Sequence, residues 1–141
     1  MSLDSGTYRI LSPLKADHGN FCIVQHASQD PCVNETGGQA IYIEHVFENN
    51  YTIQYSKGHD NFFGPSDDIT TDDTLKSRPG AFEWTIVNVG PGQYKVHPPG
   101  QELYWQIPDD VGNESKIVLS KNRNTTGEIW IFSWADRESP P

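Results

Sequence analysis

The side chains able to do chemistry in this 141-residue chain are scattered rather than gathered. Histidines stand at 18, 26, 45, 59 and 97, and none has the His-Glu-x-x-His spacing that sets two imidazoles on one helix face around zinc. Cys22 and Cys32 do not form a zinc-ribbon pair either. Acidic doublets occur at Asp67-Asp68, Asp72-Asp73 and Asp109-Asp110. Neighbours on an extended strand point to opposite faces, so such doublets read as solvated turns rather than as paired catalytic carboxylates. The Asp67 to Asp73 stretch lacks the central Gly and terminal Glu of a calcium loop. There is no Gly-x-Ser-x-Gly elbow and no glycine-rich phosphate loop opening a helix. These absences point to a protein that acts by contact rather than catalysis, with no metal and no cofactor.

Contact chemistry has several candidate carriers. Lys76, Arg78, Lys121 and Arg123 could each offer a cation to the acidic specificity pocket of a trypsin-like protease. Of these, the Lys121-Asn122-Arg123-Asn124 stretch is preferred, because Arg78 is followed by Pro79. Asn61, at the end of Lys57-Gly58-His59-Asp60-Asn61, could meet an asparaginyl endopeptidase. Tyr104-Trp105 followed by Asp109, Asp110 and Asn113 has the ingredients of a glycan site. An aromatic face packs on pyranose C–H groups while carboxylates and amides take the hydroxyls. By strand alternation one of the two aromatics belongs to the core and the other faces out.

The elements that must hold these groups are set by an internal repeat. Tyr8-Arg9-Ile10, Tyr51-Thr52-Ile53 and Tyr94-Lys95-Val96 recur every 43 residues. A second extended run follows each, at Pro31-Cys32-Val33, Asp73-Thr74-Leu75 and Lys116-Ile117-Val118-Leu119. A third comes at Ala40 to Ile43, Phe82 to Ile86 and Glu128 to Phe132. All are β-branched or aromatic and bounded by Gly, Pro, Asn or Asp, the signature of short strands and turns. Three units without caps close most economically on a threefold axis. The expected fold is all-β, a β-trefoil of three pseudo-threefold repeats of four strands. It forms one domain over residues 1–141, with repeats near 6–48, 49–90 and 91–136. The predicted loops between first and second strands are Pro13 to Asn20, Ser56 to Asn61 and His97 to Glu102. Those between third and fourth are Asn34 to Gln39, Lys76 to Ala81 and Ser120 to Gly127. Phe21-Cys22 and Phe62-Phe63 hold the places equivalent to Tyr104-Trp105, so only the third repeat offers the glycan constellation.

Composition narrows the partners. A net charge of -9 with basic residues scattered singly opposes a nucleic-acid partner, whose phosphates demand clustered Lys and Arg. No apolar run reaches membrane-spanning length, and Met1-Ser2-Leu3-Asp4 lacks the basic and apolar regions of a secretion signal. A monomer in the cytoplasm, away from membranes, is expected. Cys22 and Cys32 flank a turn at Ala27 to Asp30 and could face one another across a hairpin. A disulfide and two reduced core thiols both fit the sequence. Sequons at Asn34, Asn50, Asn113 and Asn124 read as turn asparagines beside Ser or Thr.

The opening Met1 to Ile10, the Trp84-x-Ile86 and Tyr94-x-Val96 pair, and Trp105-x-Ile107-Pro108-Asp109 resemble the small fungal β-trefoil protease inhibitors. These are the mycocypins, mycospins and cocaprins, mushroom proteins without signal peptides that serve in fungal defence. Fungal trefoil lectins share the skeleton, and their Gln-x-Trp strands are approximated by Glu83-Trp84 and Glu128-Ile129-Trp130. The resemblance implies inhibition by rigid loops that occlude a protease cleft. For papain-like enzymes it implies Lys15, Asp17, His18, Gly19 and Asn20 of the first loop, with Glu35, Thr36, Gly37, Gly38 and Gln39 before the fourth strand. The Gly37-Gly38 pair would let backbone approach a catalytic cysteine where a side chain would clash. A second protease class, aspartic or trypsin-like, would be met from another loop. Glycan binding through the third repeat is the alternative.

Overall fold

A computed structural model describes residues 3–16, 19–25, 30–35, 38–58, 60–66, 69–108, 110–121 and 125–135. The repeated tyrosines mark the strands of a barrel. β1 (Gly6–Ala16), β4 (Ala40–Phe47), β5 (Asn50–Gln54), β8 (Glu83–Gly90), β9 (Gln93–His97) and β13 (Trp130–Trp134) pair antiparallel, each with the next and the last with the first. Within each unit the tyrosine faces a bulky apolar residue across the ladder: Tyr8 pairs with Ile41, Tyr51 with Trp84 and Tyr94 with Trp130. Alternation then assigns the faces. Ile41 and Ile43, Trp84 and Ile86, and Trp130 and Phe132 turn inward and are buried.

Hairpins cover one end of the barrel. They are β2 (Gly19–Val24) with β3 (Cys32–Asn34), β6 (Asn61–Gly64) with β7 (Lys76–Pro79), and β10 (Leu103–Gln106) with β12 (Val118–Lys121). The short β11 (Ser115–Lys116) pairs with β3 and so ties the third unit to the first. Thr74 bridges Val118, joining second to third. Ser77 N–H donates to Asp30 Oδ1 at 2.9 Å, joining first to second. The same carboxylate lies 4.0 Å from Lys76 Nζ and 3.7 Å from Lys116 Nζ, so all three units meet at Asp30. The opposite end is sealed by the N-terminal segment. Tyr51 and Tyr8 donate their hydroxyls to the carbonyls of Leu3 (3.0 Å) and Asp4 (2.7 Å), and Leu3 is buried against the core.

Several sequence expectations need correction. Lys76 to Ala81 was expected as a loop, yet Lys76–Pro79 is a strand paired with β6. Asn61, expected in a loop, opens β6 opposite Pro79. The first hairpin is longer than expected, with β1 running to Ala16 and β2 starting at Gly19. The third-unit run begins at Trp130, because Thr126–Glu128 forms a 3-10 turn.

Candidate functional site

The β1–β2 hairpin leaves the barrel through an irregularity. Register shifts between the pairs Leu11 with Cys22 and Lys15 with Asn20. The bulge is held from inside by the buried Ser12, whose Oγ accepts Leu14 N–H at 3.0 Å and whose carbonyl accepts Asn20 Nδ2 at 2.8 Å. Lys15 is therefore presented on an ordered arm, exposed to solvent. Gly19 has φ of +135°, which a side chain would disfavour, and its absent Cβ would stand 3.9 Å from Glu35 O. This places the hairpin beside the segment before β4. Asp17 and His18 at the hairpin tip, and Thr36 and Gly37 in that segment, lie outside the described residues.

The segment itself is clamped by the third unit. Asn113 Oδ1 accepts Glu35 N–H at 2.8 Å, and Asn113 Nδ2 donates to Glu35 Oε2 at 3.2 Å. The mirror contact is also made, for Asn34 Oδ1 accepts Glu114 N–H at 2.7 Å. Two Asn-Glu dipeptides thus exchange hydrogen bonds and extend the β3–β11 ladder beyond its last backbone pair. Farther along, Gln39 Oε1 accepts Gln25 N–H at 2.6 Å. Lys15, Gly19, Asn20, Glu35, Gly38 and Gln39 are gathered along one edge, and Asn113 joins them from a different predicted site.

Cys22 lies beneath this edge. Its thiol is 3.5 Å from Asn20 O and 3.6 Å from Asn34 O, and a Cβ on Gly38 would come within 3.3 Å of its Sγ. Gly38 therefore packs against its core neighbour Cys22, and a side chain there would force one of the two to move. No disulfide forms. Cys22 pairs with Asn34 and Val24 with Cys32, which staggers the two cysteines along the hairpin, and both are free and buried. Burial pushes both thiols up; for Cys22 a hydrogen bond from the Gly38 backbone partly offsets this. For Cys32 Glu114 adds to the rise and Lys116 opposes it.

The expected glycan constellation is taken apart. Trp105 is fully buried, with ring centroids 5.3 Å from Trp84 and 6.2 Å from Trp130, and cannot serve as a sugar platform. Asn113 is committed to Glu35. Asp110 is exposed, and Asp109 lies outside the described residues. Tyr104 is the outward partner, half-buried, 5.0 Å from the His97 ring and 5.4 Å from Lys95 Nζ. Lys95 in turn lies 3.3 Å from Glu128, whose side chain is fully buried. Sequence reasoning missed this pair; its signal was a carboxylate where the lectin pattern has Gln. Burial, then Glu102 and Glu128, raise the pKa of Tyr104.

On the trypsin-directed stretch, Lys121 is exposed at the end of β12 and lines a groove of about 740 Å³ with Ile69, Thr70, Thr71, Gln101, Glu102 and Leu103. Asn122, Arg123 and Asn124 lie outside the described residues. Lys76 and Arg78 do not project from a loop. Arg78 Nη1 donates to Pro65 O at 2.7 Å, and Lys76 is the partner of Asp30.

A closed barrel of threefold-related strands, capped by three hairpins, is shared with solved fungal proteins. The ricin B-like lectin of Macrolepiota procera, in complex with lactose, matches with a TM-score of 0.78 at 13% identity, over 94% of this chain and 97% of that one. The fold is a β-trefoil. The agglutinin of Rhizoctonia solani gives 0.77 at 17% identity, covering 94% and 97%. A proteinase inhibitor from Coprinopsis cinerea gives 0.68 at 14% identity, covering 94% and 99%. No protein-family model matches the chain, and no curated protein matches it in sequence. Identities this low carry the trefoil skeleton alone.

Proposed function

We propose that this trefoil is a protease inhibitor whose edge, formed by the β1–β2 hairpin and the 34–39 segment, occludes the cleft of a papain-like cysteine protease. The observation that carries this reading is the Glu35–Asn113 clamp. A loop whose Glu35 end is already held by a partner from another unit loses less ordering entropy on entering a cleft than a loop free at that end. The resemblance to mushroom inhibitors and the trefoil shared with the Coprinopsis cinerea inhibitor support the same reading. Lys121 is the described residue available to a second, trypsin-like target; nothing in the described loops selects an aspartic one.

Residual activity of papain, trypsin and pepsin titrated in parallel tests this. Stoichiometric loss of papain activity, weakened by Lys15→Glu without a change in melting temperature, is the expected result. No inhibition of any of the three would remove the proposal. The second reading, a lectin, draws on the similarity to the Macrolepiota procera and Rhizoctonia solani proteins. A glycan array that binds the wild type and loses signal with Tyr104→Ala would move the assignment there.

A further inference from the structure

Among the described residues, the exposed large apolar side chains are Val46 (46%), Phe47 (64%), Val87 (36%) and Val89 (45%). They do not scatter. Val46 and Phe47 end β4, and Val87 lies on β8 beside the turn that follows Phe47, since Ile86 N–H donates to Asn49 O at 2.8 Å. On β8, Trp84 and Ile86 face the core, which sends Glu83, Thr85, Val87 and Val89 to the outer face. Phe47 and Val87 thus flank one hairpin turn, and the patch sits at the end of the barrel away from the hairpin cap. β4 is 8 residues long and separates this patch from the Gly38–Gln39 edge by its full length, about 23 Å at the usual strand rise.

Along the two strands that form the patch the formal charges have one sign; Lys57 lies outside them, over the ring of Tyr42, whose hydroxyl bonds Glu44. Residues 44–50 and 83–90 contain Glu44, Glu48 and Glu83, no Lys and no Arg. Lys95 lies opposite Val87 across the ladder, but its ammonium is turned onto Glu128. A second copy would bring the same carboxylates face to face, on a chain already carrying -9, and like charges set against each other disfavour association. An apolar centre with an acidic rim instead complements an apolar surface with a basic rim. We infer that the Val46–Phe47–Val87–Val89 face is a second docking surface, and that its partner is a basic polypeptide segment with alternating apolar side chains. The surface is independent of the protease edge and stays open when that edge is filled.

The test is amide NMR of the isotope-labelled protein titrated with a decapeptide of alternating lysine and leucine, with the glutamate–leucine decapeptide as control. Shifts confined to residues 44–50 and 83–90, with the lysine peptide alone, are expected. The double variant Phe47→Ser/Val89→Ser keeps every charge and should weaken binding at least about tenfold, or 1.4 kcal/mol, with an unchanged melting temperature. Equal binding by that variant would mean acidity alone attracts the peptide and would overturn the proposal, as would shifts elsewhere or with neither peptide. Sedimentation should show a monomer. A dimer that Phe47→Ser dissociates would assign the face to a second copy and overturn the basic-partner assignment.

Discussion

Asn113 and Glu35, 78 positions apart in the chain, exchange two hydrogen bonds across the junction of the first and third units. One bond satisfies a backbone N–H that would otherwise need water, and the other orients a carboxylate. Asn34 Oδ1 also accepts Glu114 N–H, which is shared with the Val33 carbonyl at 2.8 Å, so the junction behaves as a small ladder made partly of side chains.

Asn113→Ala should therefore loosen the edge without dissolving the fold. The expected loss is about 1–2 kcal/mol in urea denaturation, the usual net worth of two such bonds near solvent. Hydrogen exchange at residues 34–39 should accelerate while the barrel amides keep their protection. Papain inhibition should weaken about tenfold through faster dissociation. Full protection at Glu35 in the variant would show that the clamp is not what orders the loop.

Trp105→Ala should unfold the core rather than remove a sugar site. The indole fills the space between Phe63, Trp84 and Trp130, and its backbone carbonyl accepts Trp130 Nε1–H at 3.0 Å. Truncating a buried tryptophan costs about 3–5 kcal/mol, readable as a shift of the denaturation midpoint. A stable Trp105→Ala protein with near-native melting would contradict the core assignment.

The barrel was legible in the sequence because closure places the same demand at three equivalent positions. Tyr8, Tyr51 and Tyr94 each need a ring filling the barrel wall, so the repeat survives in the residues themselves. Lys76–Pro79 was illegible for the opposite reason. Its charges and its proline mimic a turn, and only pairing with β6 and the contact with Asp30 make it a strand. Alternation could say that one of Tyr104 and Trp105 turns inward, but choosing Trp105 requires knowing that Trp84 and Trp130 leave a gap of that shape. The Asn34–Glu114 and Asn113–Glu35 match is long-range hydrogen bonding, which leaves no periodic trace; the repeated Asn-Glu dipeptide was its one local sign.

Gly38 and Cys22 should be coupled. A methyl on Gly38 would come within 3.3 Å of Cys22 Cβ and Sγ, so one neighbour must yield. Gly38→Ala is expected to cost about 1–2 kcal/mol by overpacking. In Cys22→Ala the sulfur contact is gone and only the Cβ contact remains, so the same substitution should cost less. A double-mutant cycle in urea reads the difference, with a coupling of at least about 0.5 kcal/mol expected for residues in contact. Strict additivity would place the strain elsewhere.

Lys95 should matter to stability although it is a surface-strand lysine. Glu128 is fully buried and Lys95 is its partner at 3.3 Å. Lys95→Met leaves that carboxylate without its countercharge, at a cost of about 3 kcal/mol for a buried pair broken from one side. Adding Glu128→Gln removes the charge and should recover much of the loss. Equal stability of Lys95→Met and wild type in guanidinium titrations would mean that Glu128 is held by its other contacts.

The protein should lose stability as the solution becomes alkaline. Burial raises the thiol pKa of Cys22 and Cys32, and burial followed by the Asp4 charge raises the Tyr8 phenol far above its ordinary range. Each group stays protonated in the folded chain at pH values where the unfolded chain has released its proton. The unfolded state then binds fewer protons, so unfolding free energy falls with rising pH. The stabilising contribution is complete below the unfolded thiol pKa of about 8.5 and declines above it, by at most about 1.4 kcal/mol per pH unit for each titrating group. Tyr8 adds its own decline from about pH 10. Urea midpoints measured from pH 7 to 10.5 should therefore drop, and Cys22→Ala/Cys32→Ala should flatten the part below pH 10. The same burial predicts that a thiol reagent at pH 8 labels neither cysteine until denaturant is added. Fast labelling of the native protein, or a midpoint that holds level to pH 10.5, would show that the thiols open to solvent and that Cys22 does not pin the edge from below.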